Sequence, residues 1–239
     1  MAIDVAMMEL ARTRGEAICR VYEWSVPTLS FGRNQTARGA YDPERLARDG
    51  VPVVRRPTGG RAILHAREIT YSVAAPATDA LPLRAAYDRI NALLLEALGT
   101  LGVPAAMTDG RGHARLPDAS PCFAAPSAGE MTAGGDKLVG SAQWRDDGAL
   151  LQHGSILVED DQRHLASLMT TPPAPMPAPA TLHALLGRYP AAAELATALF
   201  DAVRRNEDPD AAVMDANEAI AAGLPYVPGF EDSAWTWRR

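Results

Sequence analysis

Apolar positions recur at helical spacing over residues 2–13, where Ile3, Met7 and Leu10 fall on one face. Two apolar runs, 17–23 and 28–31, are split by Ser25-Val26-Pro27 and read as strands. Cys19 lies in the first and is expected to be a buried core thiol. Asp42 ahead of Pro43 marks the start of a short helix over 43–49. The stretch 51–74 predicts strands at 51–56, 62–64 and 69–74, the first two joined by a tight turn at Pro57-Thr58-Gly59-Gly60. The longest helical pattern covers 82–101 and closes at Gly102. Residues 104–129 lack periodicity and read as a long loop, the kind of segment that often carries function. Two further strands, 137–145 and 149–159, predict a hairpin turning at Asp146-Asp147-Gly148. A Pro- and Ala-rich connector, 170–179, precedes helices near 190–205 and 209–222. The tail ends in Trp235 and Trp237, and no internal repeat is visible.

At 239 residues and 47% hydrophobic content, the chain can bury one large α/β core. Helix, paired strands, long helix and hairpin in that order fit an α+β domain. No apolar run reaches membrane-spanning length, and Met1-Ala2-Ile3-Asp4 lacks the pattern of a signal peptide, so no membrane association and a cytoplasmic location are expected. Two cysteines without a CxxC pair give neither a disulfide framework nor a zinc site, and no metal is expected. A net charge of −6 argues against a nucleic-acid partner.

One compositional fact changes the picture. Of 23 basic residues, every one except Lys137 is arginine. Where arginine serves all generic positive charge, a surviving lysine marks a place that needs a compact ammonium. Cys122 lies fifteen positions earlier on the long loop. A thiol acts as nucleophile in its thiolate form, and a neighbouring cation raises the thiolate fraction. His65 and His153 each follow a short apolar run; either is a base, an acyl-group contact or a satisfied core histidine. The Gly59-Gly60 turn permits close backbone approach to a ligand. Arg55, Arg56, Arg61 and Arg67 form a local basic cluster, read either as a solvated strand end or as a docking patch for an acidic partner.

These residues stand in two blocks. RRPTGGRAILHAREITYSV (55–73) resembles the signature of the biotin/lipoate protein ligase family, in which an arginine pair leads into a glycine turn and a histidine. PCFAAPSAGEMTAGGDKLVGSAQWRDDGALLQHGSILVE (121–159) resembles the same family's K-x-x-G-S-A-Q and L-Q-H-G-S-I elements. Cys122-Phe123, Pro126-Ser127 and Glu130 match the cysteine segment of the family's octanoyltransferases. The ATP-dependent ligases carry a third glycine where Arg61 stands and an H-D pair where this chain has His65-Ala66. Ala66 departs from the transferases too, and Phe31-Gly32-Arg33-Asn34-Gln35 looks more like the ligases.

The resemblance implies a mixed, largely antiparallel sheet with flanking helices, like that of class II aminoacyl-tRNA and biotin synthetases. It places the catalytic domain at 1–168, with 169–239 as connector and helices packed on that same domain. It implies transfer of an octanoyl group from acyl carrier protein, through a thioester on Cys122, to a lysine of a lipoyl-accepting domain. Acceptors would be a glycine-cleavage H-type protein or dehydrogenase acyltransferase subunits. Lys137 would favour the thiolate. Arg56, Thr58, Gly59, Gly60, Arg61, His65, His153 and Gly154 would bind substrate, and loop amides at Gly140, Ser141 and Ala142 would stabilise the oxyanion. The acyl chain would lie near the Thr58–Gly60 turn and His65, with arginines 55, 56 and 61 attracting acidic partners at the entrance. No cofactor is implied for the transferase; an ATP-dependent ligase would need ATP and Mg2+. An amidotransferase between lipoyl-accepting proteins, and a non-catalytic acyl- or vitamin-binding module, are the remaining alternatives. The family's first helix normally follows a strand, so the resemblance also implies a start upstream of Met1 or a domain without that edge strand.

Overall fold

The computed structural model describes residues 1–77, 82–108, 121–124 and 129–239. Two sheets carry the site. The larger has six antiparallel strands: β1 (Ile18–Tyr22), β5 (Glu68–Pro76), β6 (Ala105–Met107), β7 (Met131–Ala133), β8 (Asp136–Asp146) and β9 (Ala149–Leu157). Their order across the sheet is β1-β5-β9-β8-β7-β6. The smaller sheet joins β2 (Thr28–Phe31), β3 (Val53–Arg55) and β4 (Ile63–His65), with β3 parallel and β4 antiparallel to β2. The expected mixed, largely antiparallel sheet architecture is therefore present, divided between two sheets.

All nine residues of β9 are buried because both faces of the large sheet are covered. On one face, α3 (Leu83–Thr100) and α6 (Ala192–Asn206) place Leu94, Leu98, Leu195 and Leu199 against Tyr71, Val139, Leu150 and Ile156. On the other face, α1 (Ala2–Arg14) packs Met7, Met8 and Ala11 on Ala74, Ala149 and Leu151. Further along this second face the strands carry Gly140, Ala142, Thr70, Ser72 and Ser155, which are too small to fill the layer. A gap opens between the two sheets there.

The short elements are α2 (Pro43–Arg48), α4 (Leu165–Leu168), α5 (Leu182–Leu186), α7 (Ala216–Gly223), α8 (Val227–Glu231) and α9 (Ser233–Thr236). Asp42 caps α2 through the amides of Glu44 and Arg45, as its place before Pro43 predicts. The helix expected over 209–222 is shorter, because Asp215 caps it only at Ala216. Cys19, expected in the core, is exposed: its strand is the outermost in the large sheet. The C-terminal segment is stitched to the small sheet, where Arg55 Nε donates to the Thr236 carbonyl and Trp235 Nε1 donates to that of Arg55. Among the described residues, no helix is long and apolar enough to cross a membrane.

Candidate functional site

Cys122 is fixed by its backbone. Its amide donates to the Ala62 carbonyl at 2.9 Å, extending a parallel bridge between Ala62 and Pro121. The next residue, Phe123, packs with Ile63 and Leu157 as an apolar anchor. The thiol then lies over β8 at Gly140, where an added Cβ would stand 3.0 Å from Sγ. Lys137 Nζ, on the same strand, reaches the Cys122 carbonyl at 2.8 Å, Sγ at 3.5 Å and Glu130 Oε1 at 2.7 Å. Lys137 is only 3% exposed. Burial alone would lower its pKa, but the negative charges of Cys122 and Glu130 outweigh that and raise it above the usual lysine value. The ammonium therefore stays charged beside the sulfur.

Above the thiol lies a half-open cleft with about 380 Å3 of empty space. Arg56, Gly60, His65, Cys122, Gly140, Ser141, Ala142, His153 and Gly154 all line it, so most of the residues singled out in sequence converge. Gly140 to Ala142 lie within strand β8, in the strand expected over 137–145, so the amides proposed for the oxyanion are strand amides. Beyond Val139 this strand pairs with β9 but no longer with β7, so among the described residues alternate amides are left without a strand partner. The Ser141 hydroxyl is shared with Tyr71 Oη at 2.7 Å on the α3 side, so Ser141 borders the cleft through its backbone. Gly154 has the same basis: a Cβ would stand 2.5 Å from the Tyr71 ring and 2.8 Å from Ser141 Oγ.

The Thr58–Gly60 turn roofs the cleft and is held from several sides. Arg33 N donates to the Thr58 carbonyl at 2.7 Å, and Thr58 Oγ1 meets His153 Nε2 at 2.6 Å. Arg56 donates to the carbonyls of Gly59 and Arg61 at 3.1 and 2.8 Å, and to Ser30 O and Oγ. Gly60 has φ +89°, a conformation that favours glycine. Gly32 passes directly beneath, and a Cβ there would lie 1.9 Å from the Gly60 oxygen. Gly32→Ala must therefore displace the roof; we expect a loss of about 3 kcal/mol, roughly 6–12 °C in melting temperature, readable by thermal denaturation.

The arginines correct the docking reading. Arg55 is fully buried and clamps the carbonyls of Gly32, Gln35 and Thr236. Arg56 is equally interior, with its pKa lowered by burial to about 10, still cationic near neutrality. Arg61 is 9% exposed, and Arg67 is ion-paired with Glu159 and Asp161. Arg55 and Arg56 are thus interior clamps, Arg61 is nearly enclosed, and Arg67, though exposed, has its charge met by two carboxylates. Sequence shows a run of arginines but not which of them the fold encloses.

His65 has both ring nitrogens hydrogen-bonded, whereas His153 is hydrogen-bonded through Nε2 alone. His65 Nδ1 donates to Glu68 at 2.9 Å and Nε2 accepts from Ser30 Oγ at 2.7 Å, while the ring stacks on Trp24 at 4.3 Å. Glu68 also accepts from Thr70 at 2.5 Å and from Ser155, and Trp24 Nε1 donates to Thr70. His153 Nδ1 faces the buried Asp4 at 3.6 Å. As walls the two rings fit; as bases, neither is hydrogen-bonded to Cys122 among the described residues. Burial lowers both pKa values from 6.5, partly opposed by Glu68 and by Asp4. The unfolded chain thus binds these protons first as pH falls, so stability drops from about pH 6.5 downward, at up to ~1.4 kcal/mol per pH unit for each ring. Urea midpoints between pH 7.5 and 5.5 should fall accordingly, above the range where carboxylates titrate.

Sequence reasoning left Ser30, Glu68, Thr70 and Ser155 out of the site, because segments 30, 65–70 and 155 meet only after strand pairing. Glu130 appeared there as a motif position without a role. Pro126 and Ser127 lie outside the described residues. Among the described residues, no group of His, Cys, Asp and Glu is placed to hold a metal ion.

Comparison with known proteins bears on the family and the fold. The family model described as the lipoyl protein ligase A/B catalytic domain matches residues 1–204. The octanoyltransferase LipM of Symbiobacterium thermophilum is 40% identical over 238 residues, covering 96% of this chain and 84% of the relative. That of Kyrpidia tusciae is 44% identical over 181 residues, covering 72% of this chain and 66% of the relative. A lipoate-protein ligase A crystallised with ATP matches with a TM-score of 0.77 at 19% identity, covering 99% of this chain and 92% of that one. The bipartite lipoate protein ligase of Thermoplasma acidophilum, studied with its E2 lipoyl domain, matches at 0.74 and 18%, covering 99% and 89%. At such identities the structural matches speak to the fold, which is that of the lipoate ligases. The chain belongs to the lipoyl protein ligase A/B catalytic domain family.

Proposed function

We propose that this chain transfers an octanoyl group to a lysine of lipoyl-accepting proteins, by way of a thioester on Cys122. The observation that carries the reading is the 3.5 Å approach of the buried Lys137 ammonium to Cys122 Sγ at the base of the cleft. The LipM relatives, named octanoyltransferases, supply the acyl group.

In the first step the Cys122 thiolate attacks the carbonyl carbon of an octanoyl thioester, for which acyl carrier protein is the proposed donor. The new carbon–sulfur bond forms, the donor's carbon–sulfur bond breaks, and the carrier leaves as thiolate, which takes a proton from water. In the second step the ε-amine of the acceptor lysine attacks the acyl-enzyme. An amide forms, the amine loses a proton, and Cys122 returns as thiolate held beside Lys137. A thioester is converted to an amide, so the reaction runs downhill without ATP. Lys137 opposes charge on the sulfur, and the buried Arg56 adds a second positive charge at the cleft. The unpaired edge of β8 beyond Val139 is the proposed source of oxyanion donors.

The test is transfer in the absence of nucleotide. Octanoyl–acyl carrier protein and a lipoyl domain should yield octanoylated lysine without ATP or Mg2+. Product formed only from free octanoate or lipoate with ATP would replace the transferase reading by a ligase. Ligand binding without either product would leave a binding module.

A further inference from the structure

Exposed arginines on this protein are usually ion-paired: Arg84, Arg89 and Arg188 sit on Asp88, Glu207 and Glu194. One group differs. The Arg33 guanidinium lies 5.0 Å from the Trp144 ring and 5.7 Å from that of Trp235. Arg238 stacks on Trp235 at 4.0 Å and donates to the Arg33 carbonyl. Arg38 is exposed; its guanidinium donates to the Trp237 carbonyl at 3.1 Å and its amide to Arg239 O at 2.7 Å. Among the described residues none of the three guanidinium groups is bonded to an Asp or Glu side chain. The pKa of Arg238 is lowered, by burial and then by the charges of Arg33 and Arg239, with no acidic group acting on it. In a chain of net charge −6, this is a concentration of unneutralised positive charge.

Its position relates it to the thiol. Gly140, Ala142 and Trp144 alternate along one face of β8, so Trp144 stands about 13 Å from the glycine beneath Cys122. Arg33 follows Gly32, and its own amide holds the Thr58 carbonyl of the roof. The arginine group therefore lies beside the cleft, at Trp144 on the face of β8 over which the Cys122 thiol stands at Gly140. Stacking on indoles fixes the guanidinium groups in place, which reduces the entropy lost on docking.

We propose that Arg33, Arg38 and Arg238 dock an acidic carrier domain that delivers the acyl thioester on an extended arm. This rests on the acyl-transfer reading above. The span from this group to the thiol exceeds the four-carbon stem of a lysine, so a docked acceptor domain would fall short where a donor arm reaches. A long polyanion fits less well, since beyond this small patch it would meet a surface of net negative charge.

The experiment compares two donors, octanoyl–acyl carrier protein and octanoyl-N-acetylcysteamine, on the full chain and its Arg33→Glu/Arg38→Glu variant. Arg38 contributes one surface hydrogen bond and Arg33 its contacts with the rings of Trp144 and Trp235, so equal melting temperatures are checked alongside the kinetics. The variant should raise KM for the carrier-borne donor at least about tenfold with kcat kept, and wild-type KM should rise with salt in parallel. Acylation by the small thioester should be unchanged, and Arg163→Glu, at a distant ion pair, should alter neither. An unchanged carrier KM would overturn the docking surface while leaving acyl transfer intact. Equal losses with both donors would place these arginines in the cleft and overturn it as well. Tighter binding of a short DNA duplex than of the carrier would assign the patch to nucleic acid instead. A wild-type chain that neither donor acylates would remove the acyl-transfer reading itself.

Discussion

Cys122→Ser leaves a folded protein that forms no acyl-enzyme and transfers octanoyl at least about 10³-fold more slowly. The change is nearly isosteric, and the contacts that place residue 122 are made by its backbone, from its amide to Ala62 and from its carbonyl to Lys137. The fold therefore has little reason to respond. What is lost is the nucleophile, because a hydroxyl is far weaker than a thiolate and the histidines of the cleft are engaged elsewhere. His65 is held between Ser30 and Glu68, and His153 meets Thr58. Among the described residues, no histidine or carboxylate is hydrogen-bonded to the Cys122 sulfur, whose side-chain partner is Lys137. Equal melting temperatures with a lost transfer rate are the expected pair of results; a variant retaining a tenth of the activity would move the chemistry to another group.

Lys137→Met should cost about 10²-fold in acylation rate, and Lys137→Arg should not restore it. An ammonium 3.5 Å from a sulfur anion is worth a few kcal/mol at an effective dielectric near 20. Glu130, 2.7 Å from the same nitrogen, offsets part of that, leaving about 2–3 kcal/mol. Arginine is longer, planar and unable to place a compact charge among three acceptors in a site only 3% exposed. A readout other than turnover separates this role from a structural one. Alkylation of Cys122 by iodoacetamide at neutral pH should slow in Lys137→Met, at a protein concentration and temperature where the fold is intact. An Arg variant with normal turnover would make the lysine's uniqueness accidental.

Lys137 was legible before any fold existed, since a composition that replaces lysine everywhere else leaves it conspicuous. Cys122 became legible through its surroundings, and the glycine turn through its spacing. Long elements were readable for the usual physical reason: α3 repeats its apolar face and β5 alternates over enough residues to be seen. Three-residue strands such as β6 and β7, and helices of one turn such as α4 and α9, are too short to carry a period. Nor does a local pattern say that 51–74 is shared between two sheets, with β3 and β4 in one and β5 in the other. Burial was the other blind spot. Arg55 and Arg56 look like surface charge in sequence and prove to be interior clamps, while Cys19 looks like core and lies exposed. The supporting network of Ser30, Glu68, Thr70 and Ser155 is assembled from distant segments, which only strand register brings together.

The most direct measurement is the mass of the protein after incubation with octanoyl–acyl carrier protein in the absence of ATP. The account predicts one added octanoyl group, mapped by peptide analysis to Cys122 and discharged when a lipoyl domain is supplied. An unmodified Cys122, with an octanoyl or lipoyl adenylate appearing only when ATP and the free acid are present, would contradict it.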